Sequence, residues 1–95
     1  MSKLYKGNVK TSDVHYQEVI LTAQRNGNDI NGNSKYKVQV WMIVKDDHNM
    51  ESGTLWSPVV KGYRKNKYDE YTLVSSDLDH DVTRFIEAFE KTVRA

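Results

Sequence analysis

The stretch Asp77–Arg94, DLDHDVTRFIEAFEKTVR, decides the fold. Leu78, Val82, Phe85, Ile86, Phe89 and Val93 recur at i, i+4, i+7, i+8, i+11 and i+15, which lays one continuous apolar stripe along a helix. The ends agree with the stripe. Ser75, Ser76 or Asp77 can cap the first turn, Asp77, Asp79 and Asp81 suit the positive end of the helix dipole, and Lys91 and Arg94 suit the negative end. A helix of about sixteen residues is about 24 Å long, enough to cross a four-stranded sheet.

Working back from the helix, the residues before it read as strands. From Lys35 to Lys45, Tyr36, Val38, Val40, Met42 and Val44 alternate with Lys35, Lys37, Gln39, Trp41, Ile43 and Lys45. The first set faces a core; the second begins polar and ends in Trp41 and Ile43, an apolar spot on the outer face. Glu18–Arg25 forms a strand with Val19, Leu21 and Ala23 on one side and Ile20 among polar residues on the other. The Asn-Gly pairs between Asn26 and Ser34 supply hairpin geometry, over a connection longer than a tight turn and with a mobile tip. Thr54–Tyr63 is expected as a third strand, at an edge or a bulge because Pro58 cannot donate to a ladder, and Tyr68–Ser75 as a fourth. Lys3–Lys10 is a candidate fifth. The expected fold is α+β: a single domain over 1–95, with an antiparallel meander sheet of four strands, or five, packed on one C-terminal amphipathic helix.

Composition agrees with a thin-cored folded domain. The 95 residues are 38% hydrophobic and 28% charged, yet with Trp41, Trp56, six tyrosines and two phenylalanines the chain is too aromatic and too patterned to be disordered. A net charge of +1 gives no global field toward nucleic acid or an anionic membrane. The absence of cysteine excludes disulfide scaffolds, thiol nucleophiles and thiolate metal sites. No apolar run approaches a membrane span and the first residues carry no signal-like core, which points to the cytoplasm and away from membranes.

Chemical motifs are weighed against plainer roles. Asp77, Asp79 and Asp81 alternate like the start of a calcium loop, but Val82 stands where that loop needs glycine and Ala88 where it needs glutamate, so they read as helix N-terminal charge. Asp46-Asp47-His48-Asn49 reads as a solvated turn. No metal and no cofactor is expected. The chain has no Gly-x-Ser-x-Gly elbow and no phosphate-cradling glycine loop, and a sheet with one helix encloses little volume for a cleft, so an enzyme is not expected.

Two binding surfaces remain. One helix covers one face of a sheet, so Trp41, Ile43 and Trp56 are expected on the other face, forming a protein-binding patch for a partner or for a second copy in a homodimer, the alternative being that one or both tryptophans pack into the core or under Lys3–Lys10. The alternative reading is nucleic-acid binding by Lys61, Tyr63, Arg64, Lys65, Lys67 and Tyr68, cations for phosphates interleaved with rings for unpaired bases. In overall character, and not through any motif, the chain resembles the small cysteine-free α+β accessory proteins of bacteriophages and mobile elements. That resemblance implies a protein that binds and inhibits a host protein.

Overall fold

Alternation in the chain's middle and the 3.6-residue period at its end are both realised in the computed structural model, which describes residues 2–95. Among them are β1 (Ser2–Lys10), β2 (Tyr16–Asn28), β3 (Ser34–Lys45), β4 (Glu51–Leu55), β5 (Arg64–Lys65), β6 (Tyr71–Ser75) and α1 (Leu78–Arg94). All pairings are antiparallel and the order is β1-β2-β3-β6-β5, with β4 also on β3. The candidate fifth strand is therefore real, and at nine residues it is one of the longest.

β3 organises the sheet. From Ser34 to Met42 it pairs with β2 on one edge, while its other edge is divided end to end: Ser34–Val38 pair with β6 and Trp41–Lys45 with β4. The meander thus runs from β1 to β4 and then breaks, because β6 returns to β3 instead of to β4. This division also shortens the expected strand Thr54–Tyr63. Trp56 N–H still donates to the Val40 carbonyl at 2.9 Å, but β6 occupies the edge just beyond, so the chain leaves the ladder at the segment containing Pro58. Lys65 Nζ and the Tyr71 hydroxyl hold that segment by donating to the Ser57 and Pro58 carbonyls.

Three hairpin turns share one design. Each opens on an Asx residue, Asp29, Asp46 or Asn66, whose side-chain oxygen accepts the N–H groups two and four residues on. The backbone closes the same way each time, with i to i+4 and i+3 to i bonds, as in Asp29 N–H to Asn33 and Gly32 N–H to Asp29. The fourth residue is left-handed: Gly32 (φ 84°), Asn49 (φ 59°) and Asp69 (φ 60°). Gly, Asn and Asp are the residues that tolerate this conformation at least cost. The nine-residue connection expected between β2 and β3 is accordingly shortened to the five turn residues 29–33, because β2 is carried to Asn28 through a bulge at Gly27 and β3 begins at Ser34.

The core lies between α1 and one face. Val9, Val19, Leu21, Ala23, Val38, Val40, Tyr71 and Leu73 from the sheet meet Val82, Phe85 and Phe89 from the helix. Phe85 touches Tyr63 edge to face (ring centroids 4.9 Å) and Tyr71 (5.0 Å); Phe89 touches Trp56 edge to face (5.0 Å). Each buried phenylalanine contributes roughly 1.5–3 kcal/mol by burial, and such aromatic pairs add about 1 kcal/mol. On β3 the core-facing set fades outward: Val38 and Val40 are fully buried, Met42 is half-buried and Val44 is 43% exposed.

Both ends of α1 are tied to β1 and the turn after it. Asp77 caps the helix by accepting from the His80 N–H, Asp79 accepts from Lys3 Nζ (2.6 Å) and the Tyr5 hydroxyl (2.7 Å), and Asp81 accepts from the Ser75 hydroxyl. At the other end Arg94 reaches Asp13 at 2.8 Å. The bond from Lys3 holds the Asp79 carboxyl below its ordinary range, and the bond from Ser75 does the same for Asp81. The three carboxylates at this end of the helix therefore bond different groups and do not converge on one.

Burial pushes the Tyr71 phenol from 10.0 up to about 12. Between those values the unfolded chain has released the proton and the folded one has kept it, so stability is complete below pH 10 and is lost as pH rises toward 12. Tyr71→Phe is expected to cost about 1–2 kcal/mol at neutral pH, by removing the bond to Pro58, and to flatten the loss of stability between pH 10 and 12. Urea titrations across that range check both effects.

Candidate functional site

Strand alternation and register place one apolar row on the face that α1 does not cover. Ile20, Trp41 and Leu55 are directly opposed on β2, β3 and β4. Ile43 follows two residues along β3, with Gly53 opposite it. The indole lies against the Gly53 backbone: a Cβ built there would be in van der Waals contact with Trp41 at 3.8 Å and Ile43 at 3.9 Å. All four apolar residues are half-buried, and Leu4 on β1, 63% exposed, extends the surface toward the sheet's edge.

Charge surrounds this row unevenly. On the same face Lys37 pairs with Glu70 at 3.8 Å and Lys45 with Glu51 at 3.6 Å. Lys6 stands opposite Ile20 across β1 and β2, Lys35 opposite Val74, and Arg64 opposite Thr72. Among the described residues, none of these three makes an ion pair. Gln39 on the same face donates to the Tyr68 carbonyl at 3.2 Å, which fixes the β5–β6 turn beside the row. The arrangement is a flat apolar centre with a partly cationic rim, suited to burying a complementary surface.

The two tryptophans separate. Trp41 and Ile43 lie on the open face, whereas Trp56 lies against Phe89 at the margin of the core. The reason is the register: Leu55 stands opposite Trp41, so alternation turns the next residue, Trp56, to the core side, where its N–H still bonds the Val40 carbonyl. Ile20 and Leu55 complete the row, and the signal for Leu55 is its register opposite Trp41.

The basic hairpin is also divided. Tyr63 packs on Phe85, and Lys65 is bound to the Ser57 carbonyl at 2.6 Å and to Asp69 at 3.5 Å. Lys61, Arg64, Lys67 and Tyr68 stay exposed, but Lys67 sits 5.1 Å over the Tyr68 ring and occupies a face that a base would need. At Asp46–Asn49, the Asp46 carboxylate is engaged in holding its turn. Among the described residues, no three His, Asp or Glu side chains gather as a metal ion would require, and no helix is long and apolar enough to cross a membrane.

Comparison with protein-family models, curated proteins and solved structures finds no match to this chain.

The separation of the tryptophans has a measurable outcome. Trp56→Ala is expected to cost about 3 kcal/mol, the lower end for truncating a large aromatic in a core, and Trp41→Ala only about 1 kcal/mol. Chemical denaturation of both variants checks the contrast; equal losses would place Trp41 in the core as well.

Proposed function

We propose that the protein is a non-enzymatic binding module that docks another protein against the open face of its sheet. The observation that carries this reading is the row Ile20–Trp41–Leu55, continuous across three adjacent strands on the face opposite the helix. Tryptophan at the centre of a flat apolar surface is the commonest kind of interface anchor, because its burial removes much area from water at low entropic cost. The rim favours a different protein over a second copy. Lys6, Lys35 and Arg64 would attract carboxylates on a partner, whereas two copies stacked face to face would bring these cations together. A binder with one working face acts by occlusion, which fits an inhibitor of a host protein.

The test is affinity purification from the native host, with and without nuclease, using the wild type and the double variant Trp41→Ala/Ile43→Ser. The expected result is a protein retained after nuclease treatment and lost with the variant. With the purified pair, Trp41→Ala alone is expected to weaken binding by about thirtyfold, the ~2 kcal/mol of a central aromatic anchor. Unchanged binding by a folded variant overturns the reading. Recovery that vanishes with nuclease supports nucleic-acid binding instead, and a wild-type dimer that Trp41→Ala converts to monomer makes the partner a second copy.

A further inference from the structure

β1 is an edge strand: among the described residues it pairs only with β2, and its other edge carries the backbone donors and acceptors of a nine-residue strand. Such an edge is a template for another strand. Its middle residue on the helix side is Gly7, opposite Val19, with Tyr5 and Val9 two positions away on either side. Glycine in a strand interior costs stability and marks a close approach or an opening. Here it marks an opening: a Cβ placed on Gly7 would meet nothing within 4 Å. Between β1 and α1 lies a cleft of about 230 Å³ whose apolar walls are Val19, Leu21, Val82 and Ile86. That exceeds the ~150 Å³ in which a benzene-sized guest is held inside a protein.

The molecule already shows how such a gap is filled. Gly53, the other strand glycine with ordinary backbone geometry, is covered by the Trp41 ring from the neighbouring strand. An aromatic residue lying over a glycine of the adjacent strand is a general means of repairing it. At Gly7 the strand that would supply that residue is missing. We propose that β1 is the docking edge for an extended segment of another protein, which adds as an antiparallel strand and lays an aromatic or large aliphatic side chain over Gly7 into the cleft.

Charge specifies the occupant further. The segment's next residue falls opposite Lys6, and the third residue before the aromatic falls opposite Lys10, so carboxylates at those places are matched. Glu87 also lines the cleft, which disfavours an anionic side chain inside it. A second copy fits poorly. In a two-fold antiparallel pairing of two β1 strands, setting Tyr5 opposite Gly7 sets Lys6 against Lys6, and setting Val9 opposite Gly7 sets Lys6 against Lys10. Like charges directly opposed in a sheet are destabilising.

The experiment is selection of a displayed library of random nine-residue peptides on the full chain, followed by titration of a synthetic copy of the most enriched peptide. The expected consensus is an aromatic or large aliphatic residue followed by aspartate or glutamate. Gly7→Val, which fills the opening, is expected to weaken that peptide at least tenfold while melting at or above the wild-type temperature. Lys6→Glu is expected to weaken it at least fivefold, and a peptide with lysine in place of the carboxylate is expected to restore binding to that variant. Trp41→Ala should leave the titration unchanged, so this edge and the open face stand or fall separately. No enrichment, or equal affinity for folded Gly7→Val, overturns the proposal. Should Gly7→Val melt below the wild type, the Lys6 charge reversal decides, and failure to restore binding overturns it.

Discussion

One helix of seventeen residues has to supply the cover for a whole face of the sheet. It does so by concentrating aromatic area along its midline: Phe85 presses into Tyr71 with Phe89 beside it, and Tyr63 and Trp56 close over the two from the segments flanking the ladder. Burial is complete there and falls away toward both margins. On one margin Val44 emerges from the helix's shelter; on the other the helix and β1 part over Gly7. The opposite face has no helix at all and must be made compatible with water by charge. The chain's binding capacity follows from this scarcity of cover.

Polar contacts do the aligning that so small a core cannot. Lys3 and Tyr5 hold Asp79 at one end of α1, and Asp13 holds Arg94 at the other, so the helix is set over the sheet by contacts at its two ends while its middle is free to stand off from β1. These contacts are exposed, and individually each is worth little. Their value is geometric: they choose one angle for a helix whose apolar stripe would tolerate several.

Most of the architecture was legible because periodicity is a local property. The stripe from Leu78 to Val93 and the alternation through β3 each follow from residues within a few positions of one another. The return of β6 to β3 was not legible, since nothing in Tyr71–Ser75 records that β4 leaves half of β3's edge vacant. The same non-local fact ended the third strand at Leu55, and the β3–β4 register, with Leu55 opposite Trp41, set Trp56 on the other side from Trp41. Of the basic hairpin, the cations were legible as cations, but the inward turn of Tyr63 depends on Phe85, more than twenty residues away. On the open face, Trp41 and Ile43 were visible from β3 alone, whereas their completion by Leu55 needs the β3–β4 register.

The three hairpin turns are closed by their own backbone and a single Asx side chain, and none draws on the core for support. Of the five positions in each, chemistry prescribes two: an acceptor at the first and a residue content with left-handed backbone at the fourth. The rest are open to almost any side chain, as Ile30 at one tip, Asp47 at the next and Lys67 at the third illustrate. The tips are accordingly the places where this protein's sequence can drift fastest without touching its fold, and where a segment could be exchanged between hairpins as an interchangeable part.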